Sequence, residues 1–530
     1  MSHAFSWLSG RGIRGAVLAA ALLVPVVFPA SAEDLNIGFK AELTSADPHV
    51  LNGANRNIWN HVYESLVSTD ANLRPRPGLA LSWRLVNPTT WEFKLRPGVK
   101  FQNGAALTAD DVKFSIERAM HLSGPRTYRS YLRDVESIAV TGPLAIQVKA
   151  KQVSPTLPEN LGLVAIIPKS LDANASEESF ASGKSAIGTG PYKFVRWAHG
   201  QNIVLARNPD YWGAKEPWDQ VTLQFIPREP ARAAALLSGA VDIINDVPSN
   251  MEASLKDYKL QSVTSYMLNY LALDQFRDNS PFVRAADGSP LGKNPLKDLK
   301  VRQALASAIN RDGIIRFLMK GDATVSEQLV PKGFFGYDPE LKGLPYDLKK
   351  AKALLAEAGY PNGFKLTMHC PNNRYINDAK LCEAIAQVFN QIGIKADVAT
   401  MPFSVFQSRL AGANGGEPEF SVSLLGTGAV TGDSGTLLAS MIHSYNKFGG
   451  GANNYGRYSN KEVDAIIEKA AATNDEKERL ALQKKAAKAA LDDEAVLPLQ
   501  HLNVAWAMKK TLSIVPRADG FTMATDIRKK

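Results

Sequence analysis

TWEFKLRPGVKFQNGAALTADDVKFSIERAM, residues 90–120, opens with strict alternation. Trp91, Phe93 and Leu95 point one way and Glu92, Lys94 and Arg96 the other, the period of a half-buried strand. Pro97-Gly98 is a turn pair, since proline presets φ and glycine accepts φ > 0. Val99 and Phe101 resume the alternation, which predicts a β-hairpin with one apolar face. Asn103-Gly104 marks a second turn. Thr108 is then placed to cap a helix whose third residue is Asp111, a carboxylate suited to a helix N-terminus. Val112, Ile116 and Ala119 recur at helical spacing and supply its inner face.

On both sides of this stretch the pattern is α/β. Residues 33–39 read as a strand and 58–67 as an apolar helix. Residues 221–226, 231–238 and 241–244 form a strand–helix–strand unit. Asp347 can cap a helix over 348–358 that stops at Gly359, with Pro361 beyond. Strands at 364–369, 394–399 and 420–425 then alternate with helices at 376–391 and 403–410, which predicts a parallel, helix-covered sheet. Ligands bind such sheets beyond the carboxyl ends of the strands, here residues 370–375, 400–401 and 426–433. Helices over 460–472 and 475–491 and strands at 495–500 and 504–508 close the chain.

A chain of 530 residues is too long for a single core, so two or three domains are expected. Arg11 and Arg14 precede the apolar run 16–28, and Ala30-Ser31-Ala32 follows, the pattern of a secretory leader cut after Ala32. No cysteine lies near that cut, so the exported chain is expected in the periplasm without a lipid anchor. The net charge of +9 is spread among acids, as in Lys461-Glu462, which fits a solvated surface and not nucleic-acid binding. Cys370 and Cys382 are the only cysteines. Their even number in an exported chain favours a disulfide, with two buried thiols as the alternative. His369 nearby does not complete a zinc ligand set.

Catalytic patterns fail on inspection. Gly432-Asp433-Ser434-Gly435 spells a serine-protease tetrapeptide, but no histidine base and orienting acid accompany it. Gly426-Thr427-Gly428 follows an apolar strand as a dinucleotide fingerprint would, yet its next glycine is one position late and no partner acid follows. A glycine-rich strand end that lets a ligand approach the backbone explains it better, so Gly426 and Thr427 are candidate ligand contacts. There is no G-x-S-x-G and no H-E-x-x-H, and the histidines are scattered. No catalytic residue, metal ligand or cofactor is assigned.

Longer strings carry a resemblance. LALSW (79–83) with the 90–120 stretch, ADPH (46–49), YESLV (63–67), GTGPYKF (188–194), RNPDYW (207–212) and VRQALASAINRDGII (301–315) together resemble family 5 of the bacterial solute-binding proteins, the dipeptide- and oligopeptide-binding group that serves ABC importers. The resemblance implies an α/β fold of the periplasmic-binding-protein type II kind, with two hinged lobes and an inserted subdomain. After the leader, 1–32, lobe I would comprise 33–78, 188–290 and 498–530, the subdomain 79–187, and lobe II 291–497. It implies import of peptides through an inner-membrane permease and its ATPase, with the binding protein a monomer. An opine, an oligosaccharide or a metal chelate is the alternative solute, and an exported hydrolase the alternative class.

The fold alone leaves Arg374 open between a surface residue and a ligand contact. The resemblance implies that it meets the ligand's C-terminal carboxylate, and that Tyr128, in TYRSYL (127–132), covers the bound peptide. Asn269 and Tyr270 are further candidates, and Tyr270 could equally be core. One departure stands out. Where peptide-binding members resemble W-x-x-D, this chain has Thr427-Gly428-Ala429-Val430. The acid that holds a peptide's amino group is missing, so a free α-amino group is expected to matter little, with Asp433 the first suspect otherwise.

Overall fold

The computed structural model describes residues 33–530 apart from 125, 413–415 and 448, so the expected leader lies outside the described residues. The alternation at the start of the 90–120 stretch becomes strand Thr90–Leu95, with Phe93 and Leu95 buried. Its partners differ from the expected hairpin. It pairs antiparallel with Ala80–Asn87 on one edge and Ala145–Ala150 on the other, and Val135–Gly142 completes a four-stranded sheet. Val99 and Phe101 are buried in a small loop whose only ladder contact is a bridge between Lys100 and Ala106. Alternation defines a face and not a partner, and both edges of this strand are already occupied. The helix forms as expected over Ala109–His121. The Thr108 N–H donates to the Asp111 carboxylate at 2.8 Å, and Val112, Ile116 and Ala119 are fully buried.

The expected helix at 58–67 starts and stops earlier, at Gly53–Trp59, with the Asn52 side chain accepting from the Ala54 N–H at 2.8 Å. Beyond it the carbonyls of His61, Val62 and Ser65 accept from Tyr192, Gly190 and Leu79. Long-range partners thus take the hydrogen bonds that would continue the helix. Gly190 and Gly188 permit this crossing, because a Cβ at Gly188 would stand 2.0 Å from the Val62 carbonyl oxygen.

A sheet of twelve strands carries most of the rest of the chain, with two small two-stranded sheets, Val67–Thr69 with Pro75–Pro77 and Leu512–Ile514 with Ile527–Lys529, beside it. On one side Lys365–Pro371 lies parallel between Lys395–Met401 and Val422–Gly428, as the strand–helix alternation predicts. On the other, Asp34–Phe39 lies parallel between Gln220–Phe225 and Ile243–Ile244. Two long antiparallel strands, Lys259–Leu273 and Leu497–Met508, run through the middle. The second is continuous where two short strands were expected. Their register breaks between Thr264 and Leu268. The Ser265 hydroxyl donates to the Leu502 carbonyl at 2.7 Å and accepts from the Met267 N–H. This bulge leaves Tyr266 outside the ladder.

Core packing changes at that bulge. Val263 packs with Ile37, Leu223 and Trp506, whereas Leu271 packs with Phe364 and Leu424, and Leu268 with Phe406 and Leu425. The four-stranded sheet has its own core around Phe93, Val112 and Ile146. Cys370 and Cys382 are buried and joined as a disulfide. Among the described residues no helix is long and apolar enough to cross a membrane, and no group of three or more His, Cys, Asp or Glu side chains is placed to hold a metal ion.

Candidate functional site: a cleft at the bulge

Two adjoining cavities of about 430 and 370 Å³ share Tyr266 and Asp519 and form one cleft beside the bulge. Each is of a size that takes a small organic ligand.

Arg374 lines the smaller cavity. Its loop leaves the carboxyl end of strand Lys365–Pro371 and is fixed twice. The Asp378 carboxylate accepts the backbone N–H groups of Arg374 (2.8 Å) and Tyr375 (3.1 Å), and the Cys370–Cys382 bridge closes the segment. The exposed guanidinium lies 4.8 Å from the centroid of the Phe403 ring. Among the described residues no carboxylate pairs with it. Tyr128 lines the larger cavity, is fully buried, and its hydroxyl has no partner among the described residues. Burial pushes that hydroxyl's pKa up.

The other sequence candidates sit elsewhere. Gly426 and Thr427 lie outside both cavity walls, at the end of strand Val422–Gly428. A Cβ at Gly426 would stand 2.5 Å from the Tyr375 ring, and one at Gly428 2.1 Å from the Tyr266 ring. These glycines seat two aromatic side chains of the cleft instead of touching the ligand space. Asn269 and Tyr270 are in the core. The Asn269 amide donates to the Leu425 carbonyl and accepts from Gln500, and Tyr270 belongs to an apolar cluster. Both faces of this central strand are covered, so neither side chain reaches the cleft.

Sequence reasoning missed Tyr266, which the bulge presents, along with Arg56, Glu159 and Thr431. Arg56 projects from helix Gly53–Trp59 into the larger cavity, 5.4 Å from the Phe521 ring centroid, and no carboxylate pairs with it among the described residues. Burial and Asp519 raise the Tyr266 hydroxyl's pKa, while the charges of Arg56, in the larger cavity, and Arg374, in the smaller, both act to lower it. Glu159, on the short helix Leu157–Leu161, has a buried Oε2 without a partner, and burial pushes its pKa up to about 7. The buried Thr431 hydroxyl also lacks a partner.

Val430 lines the cavity at the position of the missing acid. Asp433 does not replace it. Its carboxylate is ion-paired with Arg479 and accepts from Gln483 (2.8 Å) and the Gly435 N–H (2.7 Å). His49 is likewise committed, its Nε2–H donating to the Ala165 carbonyl (2.8 Å) beside the buried Asp47–Arg118 ion pair. Three of the quoted strings meet at Glu64, which accepts from Thr189 (2.8 Å), Tyr211 (3.0 Å) and Trp212 (2.8 Å).

Fold and cleft define a two-lobed binding protein of the periplasmic type II class. Residues 74–449 match the family model for bacterial extracellular solute-binding proteins, family 5 (middle), and the chain belongs to that family. It is the solute-binding component of an ABC importer, working with a permease, and not an enzyme. The chain is 27% identical over 523 residues to the glutathione-binding protein GsiB of Salmonella paratyphi A, covering 96% of this chain and 95% of that one. Among solved structures it resembles HbpA2 from Haemophilus parasuis (TM-score 0.79, 24% identity, 94% of this chain and 100% of that one). It also resembles the periplasmic binding protein DppA from Helicobacter pylori in complex with the peptide STSA (TM-score 0.71, 24% identity, 94% and 98%).

Proposed function

We propose that this protein captures a short peptide-like solute in the periplasm and delivers it to an inner-membrane permease driven by its ATPase. The carrying observation is Arg374: a guanidinium at a strand's carboxyl end, held by a braced loop, lining the cleft without a carboxylate partner among the described residues. A planar fork of donors suits the terminal carboxylate of a peptide. Tyr128 covers the solute from the subdomain of residues 79–187, and its unpartnered hydroxyl supports that role. The peptide bound by DppA and the tripeptide named for GsiB favour this solute class.

In this reading the chain loses a leader over 1–32 and acts as a monomer without a lipid anchor. Lobe I, built from 33–78, 188–290 and 498–530, hinges against lobe II, 291–497, through the two long strands, which at the Tyr266 bulge pass from the core of the first lobe to that of the second. Solute bound by both lobes favours the closed state. Small-angle scattering of the exported chain, with and without saturating peptide, tests it. A smaller radius of gyration at saturation is expected; saturation with an unchanged envelope overturns hinge closure.

A further inference from the structure

The cleft's charges can be sorted into those already satisfied and those left open. Asp519 is held by Arg517 through both oxygens, at 3.1 and 2.7 Å. Glu64 takes its three donors, and Glu216 is ion-paired with Arg528 at 3.3 Å. Asp526 has a buried Oδ2 without a hydrogen-bond partner among the described residues, but it lies in the field of two cations, Arg517 and Arg528. On the rim of the smaller cavity Asp246 faces Lys40, and Glu229 is exposed to solvent. Leaving aside Glu64 with its three donors, Asp526 between its two arginines and Glu229 on the rim, the cleft-lining charges without an opposite charge at contact distance among the described residues are Arg56, Arg374 and Glu159, the last under the mixed charges of Asp433, Arg479 and Glu476.

Each has a physical demand. Two guanidiniums lining adjoining cavities of one cleft repel each other, and closing the cleft over them desolvates both unless anions enter. A carboxylate on each would replace that repulsion with two charge-assisted pairs. Glu159 is the opposite case. Its buried, unpartnered oxygen lines the same cavity as the unpartnered hydroxyls of Tyr128 and Thr431, and buried polar atoms ordinarily have partners. An ammonium group, with three donors and no acceptor, matches a cavity wall that offers an unpartnered carboxylate and two unpartnered hydroxyl oxygens.

Resting on the peptide reading above, we propose that the solute carries two carboxylates and one ammonium group, the carboxylates held by Arg56 and Arg374 and the ammonium by Glu159. Glu159 thereby supplies, from a different element, the acid absent at Val430. The expectation that a free α-amino group matters little is reversed.

Glutathione has this set of groups and serves as the probe. Calorimetric titration of the exported chain would compare glutathione, its N-acetyl derivative and its two monocarboxamides, against the native chain and Arg56→Gln, Arg374→Gln and Glu159→Gln. Each blocked analogue is expected to bind the native chain at least about tenfold more weakly than glutathione. Each variant should stop discriminating against one analogue only: the two arginine variants against different carboxamides, Glu159→Gln against the N-acetyl form. The analogue series on the native chain decides the matter even where a variant fails to fold. An analogue that binds the native chain as well as glutathione overturns the proposal. If neutral dipeptides bind and glutathione does not, the proposal falls and the peptide reading stands. If no peptide binds, both fall.

Discussion

Arg374→Ala is expected to weaken solute binding by about 2–5 kcal/mol, because the closed cleft would hold a desolvated carboxylate with no partner. Arg374→Lys should recover only part of this, since a point charge cannot reproduce the guanidinium fork. Titration calorimetry checks both, and equal affinities for native and alanine proteins would remove Arg374 from the site. Glu64 makes a different forecast. Replacing it with alanine leaves the donor of buried Thr189 and those of half-buried Tyr211 and Trp212 without their acceptor. The loss should be roughly 3 kcal/mol or more at about 1–3 kcal/mol for each orphaned group. Urea denaturation measures it; an unchanged midpoint would show that the network contributes nothing. The position of Arg374 at the cleft edge was legible in the sequence because a strand end preceded it, while a ligand contact there was implied only by the resemblance. Arg56 and Glu159 were not, because nothing in the local pattern of Asn52–Arg56 or Pro155–Glu159 tells which side chains distant segments will leave unpaired.

At the scale of elements, periodicity served well where hydrogen bonds are local and less well where they are not. The helix at Ala109–His121 and the parallel strands around Lys365–Pro371 followed from capping and alternation. The partner of Thr90–Leu95 and the end of the helix at Trp59 did not, since both depend on segments far along the chain. The bulge at Ser265–Met267 was likewise invisible, and it is what presents Tyr266. The loop carrying Arg374 yields the prediction that belongs here. Cys370–Cys382 closes it, and such a bridge contributes about 3 kcal/mol by restricting the unfolded chain. Thiol counting on denatured, unreduced protein should find none free. Reduction should lower the melting temperature and weaken solute binding together. Two free thiols in the exported protein would contradict the bridge.

Over the whole molecule, the ends of the chain are tied together through a histidine. The His61 Nδ1–H donates to the Ile58 carbonyl at 2.9 Å, and its Nε2 accepts the Ala524 N–H at 2.9 Å. Burial lowers its pKa from 6.5 to about 4. The unfolded chain therefore binds the proton first as pH falls, so stability is lost between pH 6.5 and about 4, at about 1.4 kcal/mol per pH unit for this one group. His61→Gln should give a shallower dependence of melting temperature on pH across that window; parallel curves would assign the acid sensitivity elsewhere. Buried His49 and His501, lowered to about 4 and about 3, should leave a remaining slope in the variant.

The central claim is capture of one peptide-like solute by a cleft that Arg374 anchors. Native mass spectrometry of the exported chain, mixed with a library of di- to tetrapeptides that includes glutathione, tests it most directly. The expected spectrum shows one peptide per chain, released chemically unchanged on denaturation, with occupancy sharply reduced in Arg374→Ala. A chain that retains no peptide, cleaves what it binds, or binds equally well without the Arg374 guanidinium would contradict the account.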